Sequence, residues 1–359
     1  MSLKKFNYYQ LWNQRFIAGN KTSIFRLSNI IITPQVIFLF SIRVNKGFTL
    51  DSHSLGNNLQ YYSEIFPSTY GVFQPHRILL PFLSHVINLE IQIINIISLA
   101  VLNLCIFLYF ENKIGSINTA LVLLCLNTTM FFQFHIVFGG YPDVFAYLLL
   151  FLTYVYKDKR FLPYVTFFCA LLTKETVIFT LLFFIFLKNI SKVKFFTLVI
   201  IYLPLYIFFS TGKFDPSFYI EPITNDLFYW LKTYNNNLLI GVFSSIKYLW
   251  LIFILPFFKK PDFDYKPVLF LIIGIAFQFI FAAADTTRFV SFIFLGVIYL
   301  LENLPKKYLS FYLSIIIVLN LLTPKYYVYA GVNDNLLILN QTKFEIINLS
   351  YYLKHFFNF

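Results

Sequence analysis

The chain has 359 residues, of which 58% are hydrophobic and only 12% are charged, and its formal net charge at pH 7 is +12. A water-soluble domain cannot bury so large an apolar fraction, so the composition excludes a soluble enzyme and predicts a membrane protein. The basic balance then reflects Lys and Arg in cytoplasmic loops. We therefore expect the lipid bilayer, and no nucleic acid, as a partner.

Apolar runs recur along most of the chain, and a helix needs about 20 residues to cross the hydrocarbon. The sequence predicts an all-α, polytopic transmembrane helix bundle of about 10–12 helices, some short or broken, forming a single integral-membrane domain over 1–359. The predicted spans are 28–44, 89–110, 116–136, 142–156, 195–210, 239–258, 268–284, 288–301 and 308–323, with 343–359 as either a short last span or an interfacial helix.

Lys and Arg in short loops set the expected orientation. Residues 1–27 contain basic side chains and no acid, which predicts a basic, cytoplasmic N-terminus. The segments 157–160 and 188–194 are also basic and are expected on the same side. Two long extracytoplasmic loops then remain, at 45–88 and 211–238. The first is expected to bear interfacial helices and the site, because loops of this length are usually functional.

The run 161–187 lies between two basic segments, so it must enter and leave the membrane on one side. We predict two short half-helices that turn at Thr173, Lys174 and Glu175, because twelve helical residues rise only about 18 Å. The alternative is one long tilted helix, which would invert the orientation of everything that follows.

Ionisable groups are few, and most of those at the ends of apolar runs fall on the extracytoplasmic side of this topology. Such a group in or beside hydrocarbon is costly unless it is paired or hydrated, so each one is a functional candidate. Asp51 follows the first span and could serve as a general base. The candidate site residues are Asp51, His76, Arg77, Asp143, Lys174, Glu175, Asp285 and Arg288.

The candidates divide by chemistry. The planar fork of arginine suits phosphate, and lysine supplies a point charge. Asp143 lies near the start of a helix as a second acid. With Asp51 it could hold a divalent cation, Mg or Mn, although no cofactor is certain. The predicted phosphate or substrate ligands are His76, Arg77, Lys174, Glu175, Asp285 and Arg288.

Each candidate also has a purely structural interpretation. A polar side chain at a helix end can cap the helix, and opposite charges three residues apart on a helix can pair. The alternatives are a solvated Asp51, an interfacial Arg77, a helix-capping Asp143, a local Lys174–Glu175 pair and a helical Asp285–Arg288 pair.

Several short motifs follow the early acid Asp51 in order. They are HRILLP at 76–81, YPDVFAYLLLFL at 141–152, ALLTKETVIF at 170–179 and ADTTRF at 284–289. In this order, over about residues 1–290, they resemble the polytopic GT-C-type glycosyltransferases, which include the protein O-mannosyltransferases and the lipid A aminoarabinose transferases.

This resemblance implies a sugar donor linked to a polyprenyl phosphate and a glycan, lipid or protein acceptor in the cell envelope. It implies transfer on the extracytoplasmic side of a bacterial inner membrane, with Asp51 as the base and Asp143 as the second acid. The family often has two adjacent acids early in the first loop, whereas Asp51 is followed by Ser52 and His53.

Two other functions fit the same features. Broken helices with polar breaks also build the sites of transporters and lipid flippases. A polysaccharide polymerase would use the same charged groups on lipid-linked glycans.

Overall fold

The computed structural model of the protein describes residues 32–40, 54–68, 72, 76–137, 140–188, 190–210, 238–255, 263–281, 288, 290–306, 308–323, 326–328 and 336–338. Several predicted features lie outside the described residues. These are Asp51, Asp285, the N-terminal segment 1–27, the second long loop 211–238 except for its last residue, and the last stretch 343–359.

The described chain is predominantly helical, as the apolar runs predict. Its helices are α1 (32–40), α2 (Ser54–Ile65), α3 (Leu79–Ile87), α4 (Ile91–Ile114), α5 (Ser116–Asn127), α6 (Met130–Val137), α7 (Asp143–Val155), α8 (Leu162–Thr173), α9 (Leu181–Ile185), α10 (Lys192–Ser210), α11 (Leu238–Ile246), α12 (Lys266–Phe281), α13 (Phe294–Asn303) and α14 (Leu309–Leu322). Three 3-10 segments accompany them, at Glu175–Thr180, Lys247–Phe253 and Ser291–Ile293.

One pair of short strands adds to this helical fold, and the sequence analysis does not predict it. Strands β1 (Tyr326–Val328) and β2 (Leu336–Ile338) pair antiparallel, with Tyr326 opposite Ile338. Strand β1 packs beside α11.

Two helices among the described residues are long and apolar enough to cross a membrane, at Ile91–Ile114 and Lys192–Phe209. The pair Ser116–Asn127 and Met130–Ile136 would make a third span if it is counted as one helix bent by 64°. Of these two helices α10 exposes more of its apolar surface, and its Val193 and Phe208 are 74% and 71% exposed. An apolar helix with so much exposed surface is suited to contact lipid.

The predicted turn at Lys174 is present. Helix α8 ends at Thr173, Lys174 is extended, and the 3-10 segment starts at Glu175. The chain then folds back, because the Phe167 and Phe184 rings lie 5.5 Å apart and Ser191 N donates to Tyr164 Oη at 2.9 Å. A continuous helix would hold those groups more than about 25 Å apart. The interpretation as one long tilted helix is therefore wrong.

Another predicted span, 239–258, is interrupted at Lys247. This residue has φ of 46°, a left-handed conformation that is strained for a side chain other than glycine, and it separates α11 from the following 3-10 segment. Its buried Nζ donates to the carbonyl oxygens of Asn320 and Thr323 at 3.0 and 3.3 Å. Lys247 thus binds the C-terminal end of α14, where carbonyl groups lack helical partners.

Charged and tyrosine side chains gather at one end of the bundle around Glu302. Its carboxylate accepts hydrogen bonds from Lys113 Nζ at 2.5 Å, from Tyr109 Oη at 2.7 Å and from Tyr154 Oη, and Lys157 Nζ lies 3.6 Å away. These contacts join the ends of α4, α7 and α13. We call this cluster of five residues the basic end.

The basic segments beside α8 and α10 also meet. Lys194 Nζ donates to the carbonyl oxygen of Arg160 at 3.5 Å, so the segment that precedes the hairpin and the one that follows it lie together. Helix α7 extends from Tyr154 back to Asp143, and the eleven residue steps from one to the other correspond to about 16 Å along the helix axis. Asp143 therefore lies well away from the basic end.

Candidate functional site

Asp143, the first residue of α7, is the centre of a buried ion triad. Its Oδ1 accepts a hydrogen bond from Lys174 Nζ, and its Oδ2 accepts one from Arg288 Nη2 at 2.8 Å. The three side chains are at most 4% exposed. A carboxylate between two cations offsets part of the cost of burying all three charges.

Glu175 is the centre of a second triad. Arg77 donates to it in a bidentate arrangement, from Nε to Oε2 at 2.8 Å and from Nη2 to Oε1 at 2.6 Å. His76 Nε2 lies 3.2 Å from Glu175 Oε2. The paired contact fixes both the position and the orientation of the guanidinium group. It also ties the segment before α3 to the turn of the α8–α9 hairpin.

The two triads form one network, because Lys174 and Glu175 are consecutive residues at that turn. Three cations face two carboxylates, so with a neutral imidazole the network carries a formal surplus of one positive charge. We call this set the charged network, and its members are His76, Arg77, Asp143, Lys174, Glu175 and Arg288.

Arg77 precedes α3 and is the cation of the Glu175 triad. The adjacent Glu175 carboxylate offsets the cost of burying its charge, and the more distant Asp143 carboxylate acts in the same direction. Arg77 is therefore a permanent cation in this network.

Aromatic side chains surround the network, and the sequence analysis does not single them out. The guanidinium carbon of Arg288 lies 4.1 Å from the ring centroid of Tyr141, and Tyr147 Oη donates to the carbonyl oxygen of Arg288 at 3.2 Å. The ring of His76 lies 4.5 Å from that of Tyr206. Tyr141 was visible beside Asp143 in the YPD motif, but a chain with 26 tyrosines gives little reason to select one.

The contacts decide between several of the interpretations that the sequence leaves open. Lys174 and Glu175 do not pair locally, since each binds a different segment. Arg77 is buried against Glu175, so it is not a snorkelling side chain at an interface. Arg288 binds Asp143. The predicted phosphate-binding and catalytic roles of these residues stay predictions.

Within the described part of the chain, no group of three or more His, Cys, Asp or Glu side chains is placed to hold a metal ion. Both oxygens of Asp143 contact cationic nitrogens. A divalent cation at Asp143 would therefore meet two positive charges, and this surrounding does not suit one.

No protein-family model, curated protein or solved structure matches this chain. The site is therefore interpreted from its own residues.

Proposed function

We propose that this chain is a multi-pass membrane glycosyltransferase of the GT-C type. It would move a sugar from a polyprenyl-phosphate donor to an acceptor on the extracytoplasmic side of the membrane. The observation that carries the proposal is the charged network, in which segments near residues 76, 143, 174 and 288 bring six ionisable groups together. Ionisable groups at membrane depth are typically functional.

The membrane placement is supported by the apolar surface of α10 and by the separation of charges. The basic end and the Lys194–Arg160 contact gather basic segments on one side of the bundle, as expected for a cytoplasmic face. The charged network lies about 16 Å further along α7. Since the hydrocarbon is about 30 Å thick, the network would lie within the membrane toward its outer half, reached through the first long loop.

The proposed chemistry is an inverting displacement. Asp51 takes the proton of the acceptor hydroxyl, the hydroxyl oxygen attacks the anomeric carbon, and the bond from that carbon to the phosphate oxygen breaks. The phosphate leaves with the bonding electrons, and positive groups stabilise it. Arg77, Lys174 and Arg288 supply that charge. In this proposal Asp143 and Glu175 hold the cations in place, and the surplus positive charge favours an anionic leaving group.

A transfer assay with an Asp51→Asn variant tests this function. The purified protein is reconstituted with undecaprenyl phosphate carrying radiolabelled mannose, glucose or galactose, and with an envelope extract as the acceptor source. Removing the base is expected to lower the transfer rate by about 10²–10⁴-fold. Asp158→Asn is the matched control, because Asp158 is exposed beside the basic end, and it is expected to keep the wild-type rate.

The outcome also separates the alternatives. Full transfer by a folded Asp51→Asn protein would remove Asp51 as the base. Movement of an intact donor across the bilayer, without release of undecaprenyl phosphate, would favour the transporter or flippase.

A further inference from the structure

Four buried polar side chains around Glu175 have atoms without a hydrogen-bond partner in the described part of the chain. Burying such an atom without a partner is unfavourable, so a group of them on neighbouring segments points to a polar ligand. The atoms are Arg77 Nη1, Thr176 Oγ1, Tyr202 Oη, and both Oε1 and Nε2 of Gln278. Each of these residues is at least nine-tenths buried, and Gln278 is fully buried.

The packing of α12 places Gln278 at the level of Thr176. The chain from Glu175 to Phe186 runs antiparallel to α12, because Phe186 stacks on Phe270 at 3.7 Å and the backbone of Gly274 lies against the carbonyl of Phe179. One helical turn beyond Gly274 is Gln278, and one 3-10 turn before Phe179 is Thr176. Both steps are about 6 Å in the same direction.

The other two groups approach Glu175 from separate segments. Arg77 uses Nε and Nη2 for Glu175, which leaves Nη1 on the remaining edge of the guanidinium group. The ring of Tyr202 on α10 lies 5.9 Å from that of Tyr206, whose ring lies 4.5 Å from that of His76 at a tilt of 47°. It is also within electrostatic range of Glu175 and Arg77. Arg77, Thr176 and Tyr202 are therefore near Glu175, and Gln278 lies level with Thr176 on the adjacent α12.

These four side chains differ from the Asp143 triad in the hydrogen bonds that they can form with a ligand. Arg77 Nη1 can only donate, the two hydroxyls can donate and accept, and Gln278 Oε1 can only accept. A phosphate carries only acceptors when ionised, so it would leave Gln278 Oε1 without a donor. A sugar hydroxyl supplies both a donor and acceptors.

We propose that Arg77, Thr176, Tyr202 and Gln278 form the subsite for the sugar ring of the donor, and that this sugar is a neutral hexose. This inference rests on the proposed glycosyltransferase function. Lys174 and Arg288 of the Asp143 triad face the phosphate, and the Glu175 side recognises the hydroxyl groups. Arg77 serves both, because it adds positive charge for the phosphate and its Nη1 donates to the sugar. A charged sugar would need a free counter-charge, whereas Glu175 is already engaged by Arg77.

The test compares how two kinds of soluble probe bind to the full chain in lipid nanodiscs. One is neryl phosphate, and the other is neryl phosphate bearing mannose, glucose or galactose. Wild-type protein is expected to bind one of the hexose forms about tenfold tighter than neryl phosphate alone, an increment typical of one or two added hydrogen bonds. Gln278→Leu and Thr176→Val are each expected to reduce this preference to about twofold or less, while affinity for neryl phosphate stays at the wild-type level.

A matched control is Asn118→Leu. The amide Oδ1 of Asn118 is also buried without a partner, but its Nδ2 donates to Ile114 O, near the basic end. This variant is expected to keep the hexose preference. Because Gln278→Leu replaces a buried amide with an apolar group, it is expected to fold at least as stably as wild type.

Different negative results in this binding test would overturn the subsite and the proposed function. Equal affinity of wild-type protein for neryl phosphate and all three hexose forms would overturn the subsite while leaving the transferase function standing. A hexose preference that survives both substitutions would overturn the assignment of these residues. Failure to bind neryl phosphate at all would overturn the proposed function, and the subsite with it.

Discussion

Lys174 and Glu175 are consecutive in the chain, yet their side chains pair with different parts of the molecule. Lys174 binds Asp143 on α7, and Glu175 binds Arg77 ahead of α3. The turn of the α8–α9 hairpin therefore joins the core of the bundle to the first long loop. A substitution at either residue is expected to affect both regions.

Asp143→Asn is predicted to destabilise the protein strongly. The change leaves the buried cations Lys174 and Arg288 together without their shared counter-charge, which typically costs about 3–5 kcal/mol. Thermal unfolding in detergent measures the loss. Glu64→Gln is the control, because Glu64 is exposed and accepts one long hydrogen bond from Gln60 at 3.4 Å. Equal melting temperatures for the two variants would contradict the triad.

Because Arg77 and Glu175 pair, a double variant at both residues is expected to lose less stability than the single Glu175→Gln variant. Glu175→Gln alone leaves a buried arginine without its partner and is expected to cost about 3 kcal/mol. Adding Arg77→Gln removes the uncompensated charge, so the double variant is expected to recover part of the stability. The unfolding free energies of wild type, Glu175→Gln, Arg77→Gln and the double variant together give the coupling energy between the two side chains. Additive losses would show that the two side chains do not interact.

The basic end predicts a pH-dependent contribution from Glu302, which lies beyond the predicted span 288–301. Burial raises its pKa, but Lys157 and hydrogen bonds from Lys113, Tyr154 and Tyr109 outweigh burial and lower the pKa of Glu302 from 4.5 to about 2. Ionised Glu302 therefore stabilises the fold above pH 4.5. This stabilisation is lost as the pH falls from 4.5 toward 2, where the folded protein also binds the proton.

The corresponding experiment compares wild type with Glu302→Gln in unfolding measurements across this range. The gap in unfolding free energy is expected to be about 3 kcal/mol at pH 6 and to narrow steadily below pH 4.5. A gap that does not change between pH 6 and pH 3 would show that ionisation of Glu302 contributes nothing.

Gly274→Ala is predicted to disturb the hairpin. A Cβ at this position would lie 2.0 Å from the backbone oxygen of Phe179, so α12 and the 3-10 segment must separate. Overpacking of this kind typically costs about 1–3 kcal/mol. Gly296→Ala is the control, since its Cβ would meet only side-chain atoms of Leu271 and Phe253 at 3.3 Å. A similar loss of stability in both variants would contradict the close backbone contact.

Much of the helical pattern was predictable, because apolar runs and basic loops follow simple rules. The runs near 89–110, 142–156 and 308–323 correspond to α4, α7 and α14. The break at Lys174 was predictable too, since two basic segments flank a run too short to cross the membrane twice.

The partners within the network were not predictable from spacing. Asp143 and Arg288 are 145 positions apart, and only the packing of the bundle brings them together. The strained break at Lys247 was not predictable, because no glycine or proline marks it. A lysine inside the predicted span 239–258 indicates a buried polar group but not a break in the helix. The basic end was not predictable, because Glu302 is a single acid in the basic segment 302–307. Its partners Tyr109 and Tyr154 lie near the C-terminal ends of two apolar helices, where nothing distinguishes them from the other tyrosines.

The fate of a lipid-linked donor in vesicles of known orientation distinguishes sugar transfer from transport of the donor. Purified protein is reconstituted, vesicles are sorted by the side on which the first long loop is exposed, and undecaprenyl-phosphate hexoses are supplied with an impermeant envelope extract. A glycosyltransferase with this orientation is expected to release undecaprenyl phosphate and labelled product only where that loop faces the extract. Release from vesicles of the opposite orientation, or movement of an uncleaved donor across the bilayer, would contradict it.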